Sequence, residues 1–206
     1  MDQPRDEFKK FPKIGRWSRT CVITEKIDGA NAQIYIGDDG RMLAGSRNRW
    51  VTPGDDNFGF AKWVSEHQEE LMLLGPGRHY GEWLGPGIQR GYGIANKRFS
   101  LFNVGRWSCS TPDQTPPACS HVVPIICIRN MDGLDLDAVM VDLQGHGSFA
   151  SPGFMRPEGI VVYHSATGSI FKKTFDSDDF GKEALPWKEE PVRIIAHTAI
   201  LGSIPS

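Results

Sequence analysis

The chain has 206 residues, of which 39% are hydrophobic and 23% charged, as in an ordinary folded domain; this excludes a disordered chain, a collagen or a coiled coil. Because 23 basic residues face 25 acidic ones, the net charge of −2 excludes binding of nucleic acid by bulk positive charge. No apolar run reaches the length of a membrane span, and no apolar signal segment opens the chain. We therefore expect a cytoplasmic monomer without a membrane partner.

In the first half of the chain, stretches rich in β-branched residues predict strands at residues 20–25, 30–36 and 41–46, with a turn at 37–40 before the third. A helix is predicted over residues 60–74, because the apolar side chains of this segment recur with helical spacing. Strands at 78–84 and 99–104 then flank a glycine-rich loop.

The second half predicts a polar loop followed by a strand, a mixed helical pattern and a β-hairpin. In order, these are residues 106–120, 122–128, 134–143, and the pair 159–163 and 170–175. Many short strands with few helices predict an α+β domain of antiparallel sheets. The glycines fit neither a dinucleotide-binding fingerprint nor a P-loop, so side chains must hold any phosphate.

The segment around Lys26 has the residues for covalent catalysis. Lys26 follows a predicted strand, Asp28 comes two residues later, and a glycine then permits a sharp turn. Lysine is a nucleophile only as the neutral amine, which nearby positive charge favours. Glu25 and Asp28 act in the opposite sense, so Lys172, Lys173 or a divalent metal must offset them. As a bare pattern, the segment is also compatible with an ordinary turn.

Further motifs follow this segment in a characteristic order. In full they are Lys26-Ile27-Asp28-Gly29, Ser46-Arg47, Tyr80 to Gln89, Phe99 to Val104, Arg156 to Val162, and Phe171 to Thr174. The sequence thereby resembles the covalent nucleotidyltransferase superfamily of polynucleotide ligases and capping enzymes. It is most similar to the ATP-dependent RNA ligases, in the branch of the phage enzyme that seals nicks in double-stranded RNA. The resemblance runs from about residue 13 to residue 175.

The resemblance implies a nucleotidyltransferase (adenylation) fold that is ATP-grasp-like, with antiparallel sheets flanked by helices. We expect residues 1–206 to form this single domain, with 176–206 as a short C-terminal tail and no full appended domain. Two departures from the family pattern occur in the motifs. Asn103 stands where the family commonly has aspartate, and Lys172 and Lys173 are adjacent where many members separate the two lysines by one residue.

The implied activity is ATP-dependent RNA ligation, with ATP and Mg²⁺ or Mn²⁺ as cofactors. Lys26 would form a lysyl-AMP intermediate, and AMP would pass to an RNA 5′-phosphate that a 3′-hydroxyl then attacks. The resemblance makes Lys26, Glu158, Lys172 and, in second place, Lys173 catalytic. The residues implied to bind the nucleotide are Glu25, Asp28, Asn31, Arg47, Glu82, Phe102 and Lys172. Those implied to hold metal are Glu158, as first candidate, and Asp28.

Other readings of the sequence remain open. Within the superfamily, the alternatives are a DNA ligase and a capping-type guanylyltransferase; outside catalysis, the alternative is a nucleotide-binding or RNA-end-binding protein on the same scaffold. Phe102 could be a core residue, and the charged residues could be ordinary surface groups. The expected partner is RNA with 5′-phosphate and 3′-hydroxyl ends, and a partner protein could add RNA contacts. The predicted phosphate contacts are Lys9, Lys10, Arg90, Lys97 and Arg98.

Overall fold

The computed structural model describes residues 10–107 and 111–176, which form two β-sheets and three short α-helices. The strands are β1 (Thr20–Lys26), β2 (Ala30–Ile36), β3 (Met42–Ser46), β4 (Trp50–Val51), β5 (Gly77–Leu84), β6 (Arg98–Leu101), β7 (Ser120–Val122), β8 (Ile125–Asn130), β9 (Gly159–His164) and β10 (Ser169–Thr174). Sheet A has the order β10-β9-β1-β8, and sheet B the order β4-β3-β2-β5-β6-β7. Neighbouring strands are antiparallel except β6 and β7, which are parallel. The predicted α+β class is confirmed.

Helices cover one face of sheet B and bury its largest apolar cluster. α1 (Phe60–Glu66) and α2 (Gln68–Leu71) pack on alternate residues of the strands, and a short 3-10 turn, Met72–Leu74, follows. The sequence predicted one helix over 60–74, and the structure divides it at His67, whose φ of −113° leaves the helical region. The apolar side chains before and after this break still follow one pattern because both segments pack on the same sheet.

One face of sheet A is covered by a helix. α3 (Leu136–His146) places Met140 and Leu143 against β1 and β9. The helix begins at Asp135, whose carboxylate accepts the Ala138 N–H at 3.0 Å, a standard N-terminal cap. This helix starts two residues later and ends three residues later than the mixed pattern at 134–143 predicted. No helix within the described residues is long and apolar enough to cross a membrane.

The chain passes between the two sheets at Pro124. The sequence predicted one strand over 122–128, but the structure places β7 in sheet B and β8 in sheet A. Proline has no N–H to donate to a ladder, which makes it a natural break in a strand. Its neighbour Val123 still donates to the Leu101 carbonyl at 3.0 Å, and the Pro124 carbonyl accepts the Glu25 N–H at 3.0 Å. This crossover therefore lies beside the end of β1.

Candidate active site around Lys26

The strand registers place Lys26 and Lys172 on the same face of sheet A. Lys26 pairs with Gly159, and Thr24 pairs with Val161, which in turn pairs with Lys172. Paired residues of antiparallel strands share a face, and residues two apart along a strand do so as well. We call this side, which carries these five residues, the cleft face of sheet A.

Lys26 is held by an ion pair with Glu158. The Lys26 Nζ lies 2.6 Å from one carboxylate oxygen and 2.7 Å from the other, and both side chains are partly buried. Glu158 comes directly before β9, and its carbonyl accepts the Phe175 N–H at 3.0 Å. A side chain at Gly159 would collide with the Lys173 carbonyl oxygen. The end of β10 thus packs closely against the segment that carries Glu158.

Glu82 of β5 lies across from Lys26 on sheet B. Its carboxylate accepts the Gly29 N–H at 3.0 Å and the Asn31 amide at 3.2 Å. Burial raises the pKa of Glu82 to about 7, although the charge of Lys26 and the Gly29 N–H act to lower it. A Cβ at Gly29 would lie 2.9 Å from the Glu82 Cγ, so this close approach requires glycine. Asn31 and Glu82, which the resemblance implies to bind the nucleotide, are therefore in direct contact.

The turn after Lys26 is fixed by two residues that the sequence analysis did not assign to it. The buried Tyr92 hydroxyl accepts the Asp28 N–H at 2.9 Å. The Arg90 Nε donates to the Asp28 carboxylate at 2.8 Å, and its Nη1 donates to the carbonyls of Arg156 and Pro157 at 3.1 and 3.3 Å. Arg90 thus ties the Lys26 turn to the segment before Glu158. We predicted Arg90 as a phosphate contact, whereas the structure engages it internally.

Glu25 does not reach the cleft face, because it alternates with Lys26 along β1. Its side chain is 1% exposed and accepts the Ser148 hydroxyl at 2.6 Å and the Ala150 N–H at 2.8 Å. Burial raises its pKa, against the lowering effect of these hydrogen bonds and of Arg98. Arg98 also donates to the Ala150 carbonyl. The structure therefore places Glu25 in a buried network and not beside Asn31 and Glu82, with which the sequence analysis grouped it.

The two adjacent lysines of β10 point to opposite faces of sheet A. Lys172 shares the cleft face with Lys26 and is exposed. Lys173 pairs with Ile160, on the face that α3 covers, and its Nζ donates to Asp137 at 2.7 Å. Of the two lysines, the structure brings only Lys172 to the side of Lys26. This agrees with the order of preference taken from the sequence.

Phe102 and Arg47 lie on the sheet B side of the site. Phe102 follows β6 two residues after Ser100, which pairs with Glu82, and the Phe102 ring is 42% exposed. Such exposure is unlike a core residue. Arg47 is exposed and follows Ser46, which pairs with Ala32, so it extends β3 at the level of Asn31.

The carboxylates near Lys26 differ in their fit to a divalent metal. Mg²⁺ keeps several waters and needs only one or two carboxylates, so the absence of any cluster of three metal-binding side chains in residues 10–107 and 111–176 is no obstacle. Glu158 faces the cleft, where a nucleotide phosphate could complete the ligand set. Asp28 is already paired with Arg90. Glu158 is ion-paired as well, with Lys26, but a lysine amine can give up its proton whereas Arg90 stays charged, so Glu158 fits a metal better than Asp28 does.

The remaining predicted cations divide into three cases. Lys97 donates to the Phe58 carbonyl at 2.7 Å, and Arg98 is engaged as described above. Lys10 is exposed. Lys9 and nearly all of the predicted tail, residues 177–206, lie outside the described residues.

Comparisons with known proteins agree with this architecture. A sequence model of the family described as RNA ligase matches residues 19–174. The fold matches the Naegleria gruberi RNA ligase determined with pyrophosphate, at a TM-score of 0.58 and 20% identity over 76% of this chain and 50% of that one. A lysine mutant of that ligase with ATP and manganese matches at a TM-score of 0.59 and 18% identity, over 76% and 49% of the two chains. No curated protein sequence matches.

These matches define the fold as the nucleotidyltransferase fold of RNA ligases. Because the family match covers most of the sequence, the chain belongs to the RNA ligase family. It spans about half the length of the Naegleria ligase chains.

Proposed function

We propose that the protein is an ATP-dependent RNA ligase that works through a lysyl-AMP intermediate. The observation that carries the proposal is the assembly of Lys26, Glu158 and Glu82 at one site in a chain of this family. Several of the solved Naegleria ligase structures contain ATP or AMP together with manganese, which supports ATP and a divalent metal as the cofactors here.

In the first step, Lys26 attacks the α-phosphorus of ATP. A bond forms between Nζ and phosphorus, the bond from phosphorus to the pyrophosphate oxygen breaks, and pyrophosphate leaves. The amine must lose its proton, and Glu158, with both oxygens within 2.7 Å of Nζ, can orient the amine and accept that proton. Lys172, on the same face, neutralises negative charge on the phosphates.

The nucleoside is assigned to the sheet B side of the site. Glu82 is held in place by Gly29 and Asn31, so its orientation is fixed before the nucleotide arrives. In this proposal Glu82 accepts hydrogen bonds from the ribose hydroxyls and Phe102 stacks on the base, which the 42% exposure of its ring supports. Arg47, at the level of Asn31, supplies a further charge for the phosphates.

Glu158 is the residue that would hold Mg²⁺ or Mn²⁺ through water, so that its own oxygens stay in contact with the Lys26 amine. The metal, when bound, neutralises phosphate charge that develops as pyrophosphate leaves. Asp28, which the sequence also suggested, orients the turn through Arg90. We assign Asp28 to positioning of Lys26.

The later steps need RNA with a 5′-phosphate and a 3′-hydroxyl. The phosphate oxygen attacks the phosphorus of lysyl-AMP, and the bond from Nζ to phosphorus breaks to release Lys26. The 3′-hydroxyl then attacks the RNA 5′-phosphorus, a phosphodiester forms, and AMP leaves. With a net charge of −2, the chain offers only local positive charge to RNA, so a partner protein that adds RNA contacts would increase efficiency.

The test is incubation with labelled ATP and Mg²⁺ or Mn²⁺, followed by denaturing electrophoresis and by an assay for sealing of RNA ends. We expect AMP to label the wild-type chain, and Lys26→Ala to abolish labelling in a folded protein. Labelling of Lys26→Ala at the wild-type level would overturn the proposal. Preferential labelling by GTP would identify a capping-type enzyme, and equal sealing of DNA and RNA ends would identify a general polynucleotide ligase.

A further inference from the structure

Four side chains that the site around Lys26 does not use form an exposed patch on sheet B. They are Tyr35 of β2, Trp50 of β4, and Arg78 and Tyr80 of β5, and we call them the aromatic platform. Tyr80 is 53% exposed and Trp50 is 42% exposed, and Arg78 is also exposed. Several large aromatic rings that are partly exposed side by side form the kind of apolar patch that is typical of a binding surface.

The platform lies on the same face of sheet B as Glu82. Tyr80 is two residues before Glu82 in β5, and Arg78 is two residues further back, paired with Tyr35. Alternate residues share a face, and two residues span about 7 Å of strand. The platform therefore begins about 7 Å from Glu82 and extends away from it.

Three of the four side chains, Tyr35, Trp50 and Arg78, are held in place by contacts with one another and with the backbone. The Arg78 guanidinium lies 5.1 Å from the centre of the Tyr35 ring and 5.3 Å from that of Trp50. The two rings are 6.3 Å apart, at an angle of 51°. A Cβ at Gly45 would lie 3.0 Å from the Trp50 ring, so the ring packs against bare backbone. An ordered surface of this kind costs little entropy when a ligand stacks on it.

Arg78 carries the positive charge of the platform. Its Nη1 donates to the Gln33 side-chain oxygen at 3.1 Å, and Gln33 donates in turn to the Ser46 carbonyl. None of the ion pairs in residues 10–107 and 111–176 involves Arg78. Its charge is therefore available to a phosphate or to the face of a base.

We propose that the aromatic platform binds unpaired RNA bases next to the end to be joined. The proposal rests on the proposed function, which brings an RNA end to Lys26. Exposed aromatic rings with an interleaved arginine match single-stranded RNA, whose bases offer free faces for stacking. Duplex RNA hides those faces and is bound mainly through many phosphates, for which one arginine is insufficient.

The test measures binding of RNA without ATP, so that it is independent of catalysis. The probes are a labelled single-stranded RNA of about 12 nucleotides and a duplex of the same length. The main variant is the double substitution Trp50→Leu and Tyr80→Leu, which keeps both side chains apolar but removes the rings. The matched control is Trp17→Leu, which removes an exposed tryptophan that is not on sheet B.

We expect the double variant to weaken single-strand binding by at least about tenfold, since each stacked base contributes about 1 to 3 kcal/mol. Duplex binding, self-labelling with ATP, and the Trp17→Leu control should stay near the wild-type level. Unchanged single-strand affinity would overturn the proposal, and so would an equal loss of single-strand and duplex binding. If the wild-type protein does not label itself with AMP, the proposed function is contradicted, but the measured affinities for single-stranded RNA still test the aromatic platform.

A second variant covers the case in which the double variant fails to fold. Arg78→Gln removes the charge of an exposed side chain and replaces it with a shorter, neutral hydrogen-bonding group. We expect weaker single-strand binding and a salt dependence of log Kd that is shallower by about 0.7, the contribution of one phosphate contact on a single strand. Wild-type affinity together with a wild-type salt slope would contradict the role of Arg78 in the platform.

Discussion

The two faces of sheet A do different work, although their residues alternate along the same strands. On the cleft face, Lys26 and Lys172 bring positive charge to a surface that is open to solvent. On the opposite face, Glu25 and Lys173 are engaged with residues near α3 and its following loop. Charge type alone therefore does not identify a catalytic residue. The strand alternation decides whether a charge faces the substrate or supports the fold.

The largest expected effect concerns Glu82, the buried carboxylate of the cleft. Because its pKa is raised from 4.5 to about 7, the folded protein holds a proton that the unfolded chain releases between these values. Stability should therefore fall by about 3 kcal/mol as the pH rises through this interval, at about 1.4 kcal/mol per pKa unit, and then level off. Glu82→Gln should remove this component. Urea unfolding of both proteins across the interval measures the difference, and identical pH slopes would contradict it.

Glu25 on the opposite face should matter for stability and not for chemistry. Glu25→Ala leaves the Ser148 hydroxyl and the Ala150 N–H buried without their acceptor, which should cost about 2 kcal/mol of unfolding free energy. Ser148→Ala removes one of these bonds and should cost about half as much. Self-labelling per folded molecule should stay at the wild-type level. If Glu25→Ala is stable but no longer binds ATP, Glu25 is a nucleotide-binding residue after all.

The two lysines of β10 offer the most direct contrast between the faces. Lys172→Ala should reduce self-labelling by at least about tenfold, or about 1.4 kcal/mol of transition-state stabilisation. Lys173→Ala should reduce it by less than about threefold, because Lys173 pairs with Asp137 on the other face. Single-turnover rates at saturating ATP measure both effects. The reverse ranking would show that alternation along β10 does not determine phosphate contact.

The smallest expected effect is at Phe102, on the sheet B side of the cleft. Phe102→Leu should weaken ATP binding by about fivefold, since loss of a stacked aromatic pair is equivalent to about 1 kcal/mol. Because the ring is 42% exposed, the melting temperature should change little. Calorimetry with ATP measures the affinity. A large loss of stability with unchanged affinity would make Phe102 a packing residue.

Much of this arrangement could be predicted from the sequence because its signals are local. The strand before Lys26 and the hairpin of β9 and β10 follow from the pattern of residue types along the chain, and the grouping of Asn31 with Glu82 follows from the resemblance to the RNA ligases. The same period-two alternation separates Lys172 from Lys173 without any structure. It would also have placed Glu25 opposite Lys26, a signal that the sequence analysis did not use.

The remaining features depend on contacts between distant parts of the chain. Arg90 meets Asp28 across 62 positions, and Glu25 meets Ser148 across 123. No regular spacing of residues in the sequence indicates either contact. The break at His67 and the passage between sheets at Pro124 also required the structure, although proline within an apolar run was a local warning.

In the function proposed above, Lys26 on the cleft face is the nucleophile that receives AMP. The direct measurement is peptide mapping by mass spectrometry after incubation of the wild-type protein with ATP and Mg²⁺. We predict an adenylyl group on the peptide that contains Lys26, and on no other lysine. Attachment of the adenylyl group to Lys172, Lys173 or any residue other than Lys26 would contradict the proposed role of Lys26.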